Sequence, residues 1–200
     1  MKNLTLFLIC LIVSAAITAQ EKVKQAEIGL IFNNTSNFGL GFKVGSNKFK
    51  WRFNTLLING RNDKLTLDST NTETEAKQSG FELTVGNQFQ KPITENFEFV
   101  FGYDLFFKAS KTSYDDGAEA TMIVQKSRSP GINLVFGFNY IAKEHLVLGA
   151  EILPFFCWEK NITERDYHHN NVSPVPISES KSINYGLSNT SARLTLAYRF

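Results

Sequence analysis

The chain is poor in cysteine and histidine, lacks long apolar runs beyond its first residues, and has little excess of either charge. Cys10 sits in the N-terminal apolar stretch, which leaves Cys157 as the only other cysteine. A lone thiol forms no internal disulfide and no cysteine metal cluster. Beyond residue 13 no segment reaches the ~18 consecutive apolar residues of a spanning helix. Lys and Arg total 21 against 19 Asp and Glu, so there is no polybasic surface to recruit nucleic acid. No cofactor and no nucleic-acid partner is expected from this composition.

The N-terminus carries the marks of a secretory signal. Lys2 supplies a positive charge, residues 4–13 are apolar, and Ser14-Ala15-Ala16-Ile17-Thr18-Ala19 is a tail of mostly small residues. The apolar run is shorter than the ~20 residues of a membrane-spanning helix. Cleavage is expected after Ala19, giving a signal peptide over 1–19 and one domain over 20–200. Cys10 lies inside the apolar run rather than after it, so lipidation is not expected.

What the rest of the chain has is phenylalanine, 17 of the 18 in the sequence, many of them in runs at every second position. Phe97, Phe99, Phe101, Tyr103, Leu105 and Phe107 alternate with Glu98, Gly102, Asp104 and Lys108. Similar runs start near Ala26, Phe38, Phe49, Phe81, Ile132 and Leu146, and an eighth ends at Phe200. Strict period-two alternation marks a strand with two unlike faces. Short turns are expected at 45–48, 91–96 and 141–145. Long polar loops are expected at 60–79, 109–129 and 159–183. Short turns at one end and long loops at the other describe a transmembrane barrel. Pro154 lacks an amide donor, so a bulge or an early strand end is expected there. Phe155, Phe156 and Trp158 are then assigned to an interfacial aromatic girdle.

A soluble lipocalin-like barrel would alternate too, with its apolar face inward. The glycines favour the opposite arrangement. Gly29, Gly41, Gly86, Gly102, Gly137 and Gly149 all fall on the polar face, and small residues relieve crowding inside a narrow barrel. An eight-stranded interior has no room for the phenylalanines, whereas lipid does. The expected fold is all-β, an eight-stranded antiparallel up-and-down transmembrane β-barrel.

The last strand strengthens this reading. Phe200, Tyr198, Leu196, Leu194 and Ala192 share one face, and Arg199, Ala197, Thr195, Arg193 and Ser191 the other. With eight such strands and the Leu194-Thr195-Leu196-Ala197-Tyr198-Arg199-Phe200 terminus, the chain resembles the small outer-membrane β-barrels of the OmpA/OmpX type. It is most similar to the porin-family barrel proteins of the Bacteroidetes. The resemblance implies location in the cell outer membrane, contact with its lipid, and recognition of Phe200, Tyr198 and Leu196 by the barrel-assembly machinery. No peptidoglycan-binding domain is expected after the barrel, because the sequence stops at Phe200. The resemblance does not choose a role, because fold and function separate in such scaffolds.

The polar face carries the acids Glu27, Glu82, Glu98, Asp104 and Glu151 and the bases Lys43, Lys50, Arg52, Lys108, Arg193 and Arg199. Charges inside a narrow barrel must pair or stay hydrated. The expected arrangement is a salt-bridged network that plugs the lumen. The alternative is a narrow ion or small-solute path lined by both signs. A lipid A-modifying enzyme is a third reading: Asp166 and His168 with Ser173 or Ser178 can be written as a triad, but a loop fixes no geometry for one. His168 and His169 supply too few ligands for a metal, and Asp115 and Asp116 alone make no Ca²⁺ site. The expectation is a non-enzymatic barrel with a structural or surface-interaction role and a possible extracellular ligand at the surface-exposed loops.

Overall fold

The computed structural model describes residues 25–34, 37–58, 62–67, 72–115, 121–167, 175–188 and 191–200. Among them there is no helix, and eleven strands account for most of the chain. They are β1 (Gln25–Phe32), β2 (Asn37–Gly45), β3 (Phe49–Ile58), β4 (Asn62–Leu67), β5 (Thr72–Thr94), β6 (Phe97–Asp115), β7 (Thr121–Ala142), β8 (Leu146–Ile152), β9 (Phe155–Tyr167), β10 (Val175–Gly186) and β11 (Ala192–Arg199). All pairings are antiparallel.

The eleven segments make eight barrel strands. Both β3 and β4 pair with β5, both β8 and β9 pair with β7, and β10 and β11 pair with β9 and β8 respectively. The ring closes where β1 pairs with β11, with Leu30 opposite Leu196. Ala26 and Phe200 exchange both backbone hydrogen bonds at 2.9 Å. The C-terminal strand is therefore one side of the closing seam.

Side-chain alternation sets the faces. On β8 and β11 the sequence alternates strictly between exposed and buried. Ile28, Leu40, Phe53, Leu83, Phe101, Leu134, Phe136, Phe138, Leu148, Leu196 and Tyr198 are exposed around the whole ring. Lys50, Arg52, Gln88, Asp104 and Asn139 are fully enclosed. A water-soluble barrel with a greasy cavity would need the reverse, so the lipocalin-like alternative is excluded.

The strands are of unequal length. Those next to the seam are short: β1 has 8 residues and β2 has 9. β5 has 23, or about 75 Å at ~3.3 Å per residue, far more than a ~25 Å apolar band requires even when tilted. At the long-strand end the segments β4, β5, β6, β7, β9 and β10 thus continue past the belt as a sheet. This corrects the expectation of long loops at 60–79, 109–129 and 159–183. Most of those residues are strand, including Thr72–Ser79, Ser110–Asp115, Thr121–Ser129 and Glu159–Tyr167. The pattern vanishes there because both faces meet water, and alternation of hydrophobicity needs two unlike solvents. The turns are also tighter than expected: strand runs to Thr94 before the 95–96 turn and to Ala142 before the 143–145 turn.

Pro154 produces no bulge with β7. Phe136 faces Ile152 and Asn133 faces Phe155, so the register passes through unchanged. The Pro154 carbonyl still accepts from Leu134 N at 2.8 Å, and only the bond needing a Pro154 N–H is missing. The irregularity lies on the other neighbour. Ala192 faces Ile152 and Gly186 faces Phe155, so the eighth barrel strand carries extra residues between those points. Ser191 Oγ accepts from Ser188 N at 2.9 Å within that insertion. A second correction follows from the unbroken register: Phe155 lies on the inner face and lines the mouth of the lumen, while Phe156 packs edge-on against the exposed Trp158.

A ring closed by backbone hydrogen bonds in every strand resists detergent until heated. The protein folded in detergent micelles is expected to migrate differently on a gel when unboiled than when boiled. Equal mobility, together with a monodisperse species in plain buffer, would contradict this fold.

Candidate functional site

The inner face is built by the same alternation that makes the belt. Nine of the eleven charged residues expected there are buried, and Glu82 and Lys108 are half-buried at the wall of a cavity. The structure brings ten of them together in two clusters.

The first cluster lies near the short-turn end. Glu27 on β1 accepts from Lys50 on β3 and from Arg199 Nε on β11 at 2.8 Å. Arg199 also forms a two-pronged pair with Glu98 on β6, at 3.2 and 3.0 Å. Arg199 thus spans the interior from the closing strand to the opposite wall. A planar fork suits this bidentate geometry, which an ammonium cannot supply.

The second cluster sits at mid-height around Arg52, whose side chain is 0% exposed. Its guanidinium donates to Glu151 at 3.1 and 2.7 Å, and its Nε lies 3.0 Å from Asp104. Lys43 donates to Gln88 at 2.9 Å and reaches Glu151 at 3.5 Å. Arg193 lies above, 3.8 Å from Asp104 and 3.6 Å from Glu82, and donates to Asn33 at 3.1 Å. Cross-strand register explains how Arg52 gets there. Arg52 faces Gly86, and Gly86 faces Asp104. A Cβ on Gly86 would overlap the Tyr103 carbonyl and the Asp104 carboxylate, so the glycine is the gap through which the guanidinium reaches two strands away. Gly137 plays the same part beside Glu151.

Above Arg193 and Glu82 the interior opens into a polar cup of about 530 Å³. Its walls are the inner faces of the projecting strands, with Ser110, Thr112, Ser127, Asn161 and Asn184 among the lining residues. Lys108 lines it without an ion-pair partner among the described residues. Sequence reasoning does not single out the hydroxyl and amide residues. Their period-two spacing from Lys108 through Ser110 to Thr112 is present, but polar neighbours on the outer face hide it.

Other sequence candidates are not assembled. His168, His169, Ser173 and Asp116 lie outside the described residues, as do the side chains of Asp115 and Asp166. Ser178 is on β10, opposite Thr163. His145 stacks on Tyr198 and its Nδ1 lies 2.9 Å from the Arg199 carbonyl. Among the described residues there is no cluster able to hold a metal ion.

Removing one partner of a buried ion pair leaves a stranded charge. Arg52→Met is expected to cost about 3–5 kcal/mol of folding stability, read from urea unfolding in lipid vesicles. Adding Glu151→Leu and Asp104→Leu should recover most of the loss. No loss in the single variant would mean that the cluster does not hold the barrel together.

No protein-family model and no curated protein sequence matches the chain. Among solved structures it is similar to a major outer membrane protein from Thermus thermophilus, with a TM-score of 0.54 and 12% sequence identity, over 89% of this chain and 100% of that one. At that identity the likeness concerns architecture, and the architecture agrees with the closed ring, the apolar exterior and the enclosed charges described above. The chain is, by its fold, an outer-membrane β-barrel of eight antiparallel strands.

Proposed function

We propose that the chain resides in the outer membrane as a non-enzymatic barrel with a structural or surface-interaction role, its lumen closed by the charged side chains. The observation that carries this reading is the stack of two ion-pair clusters inside the ring. An eight-stranded barrel leaves room only for side chains, and Arg199–Glu98 and Arg52–Glu151 reach across that space. The projecting sheet at the long-strand end is then the surface for binding, in the position where rigid scaffolds usually carry it. The short-turn end, which holds the C-terminus, faces the periplasm in this reading.

A narrow ion path is the second reading, favoured by the polar cup that reaches down to Arg193 and Glu82. Planar-bilayer recording separates the two. The plugged barrel gives no discrete conductance steps. Steps that change with Arg52→Ala or Glu98→Ala would establish the channel instead.

The outward row Leu196, Tyr198 and Phe200 at the seam supports recognition of the C-terminal strand by the barrel-assembly machinery. Phe200→Ser is expected to slow assembly several-fold in vivo, measured as the folded fraction in pulse-labelled membranes, with little effect on refolding in detergent. An unchanged rate in cells would exclude that signal.

A further inference from the structure

The outer face of the projecting sheet changes chemistry abruptly at the top of the belt. On β6, β7, β9 and β10 the uppermost apolar row contains Phe107 opposite Pro130 and Trp158 opposite Ile183. One pair of residues further out comes a row of three bases. Arg128 is opposite Lys160, and Lys160 is opposite Lys181, on three adjacent strands. The next row adds Lys111 opposite Lys126. Apolar and basic rows together border an open groove of about 760 Å³.

Like charges directly opposite one another destabilise a sheet, so three in line call for a counter-charge. The protein supplies only part of it. Glu179 reaches Lys160 at 3.0 Å and Lys181 at 3.1 Å, and both contacts hold its carboxyl below the ordinary carboxylate range. Arg128 has no acidic partner among the described residues, and Lys126 is taken by Glu164 at 2.6 Å. Arg128, Lys160 and Lys181 outnumber Glu179 and Glu159, the latter lining the groove with its oxygens bonded to Ser127 and Asn184, and leave a surplus of positive charge. The three bases lie one row beyond the apolar pairs Phe107–Pro130 and Trp158–Ile183.

We propose that this groove binds a phosphorylated lipid of the surrounding leaflet, with its phosphate on the Arg128–Lys160–Lys181 row and an acyl chain along Phe107, Pro130, Trp158 and Ile183. The guanidinium fork of Arg128 matches phosphate oxygens. Basic clusters at a membrane rim attract anionic headgroups by about 1 kcal/mol, or roughly fivefold in affinity, per residue. A free anion would satisfy the bases but leave the adjoining apolar row uncovered. A lipid satisfies both. The site presupposes the membrane-spanning barrel proposed above.

Trp158 reports on the groove directly. With Trp51→Phe it is the only tryptophan. The test is quenching of Trp158 fluorescence, in micelles of the folded protein, by phosphatidic acid and by phosphatidylcholine carrying the same brominated chains. Phosphatidic acid is expected to quench at a concentration at least roughly fivefold lower. The triple variant Arg128→Gln, Lys160→Gln, Lys181→Gln should lose that preference while keeping the boiled-against-unboiled gel shift. Equal quenching by both lipids, or a preference retained in the triple variant, overturns the proposal. So does displacement of phosphatidic acid by an equal concentration of inorganic phosphate, which would make this a site for the free anion. Formation of a dimer that shields Trp158 from both lipids would assign the face to a second copy of the chain. Absence of the gel shift in the parent protein would instead remove the membrane-barrel reading itself.

Discussion

Closure of the ring is the constraint from which the other features follow. A strand edge in hydrocarbon would leave a row of N–H and C=O groups with neither water nor protein to bond, at several kcal/mol for each group. The β1–β11 pairing removes that edge. It also fixes the size of the interior. With eight strands the enclosed space is narrow, so every inward position must be small or must find its place among neighbours from several other strands.

The glycines and the ion pairs are two sides of that limit. Arg52, Glu151, Asp104, Glu27 and Arg199 come from β3, β8, β6, β1 and β11, and each bonds to other strands rather than along its own. They can do so because glycines such as Gly86 and Gly137 stand beside them. The apolar exterior is not specific in this way. Phe136 or Leu134 needs only lipid as a neighbour, and any large apolar residue would serve. Specificity of the fold therefore resides in the polar interior, the reverse of a water-soluble domain, where the apolar core is the jigsaw.

The uneven rim has a separate origin. Where alternation between lipid and lumen ends, hydrogen bonding between long neighbouring strands continues, and β5, β6, β7 and β9 carry the sheet into water. The seam strand β1 and its neighbour β2 stop at the belt, so β4 and β10 are left as the sides of a projecting wall with a polar inner face and a basic outer one. Ring closure is needed only in the hydrocarbon. Beyond it, the backbone edges can be satisfied by solvent.

The alternation of residues was enough to read the strand number, the antiparallel order and which face meets lipid, because a two-residue period projects directly onto two unlike solvents. It could not reveal that residues 109–115 and 121–129 are strand, since water on both faces erases the period. Nor could it show that Pro154 leaves its register intact while the eighth barrel strand absorbs the irregularity, or that Phe155 turns inward. Which base pairs with which acid, and that Arg128, Lys160 and Lys181 form one row, depend on the register between strands far apart in the chain. That register is decided by closure and side-chain fit in three dimensions, because each cross-barrel contact joins positions whose separation in sequence carries no local signal.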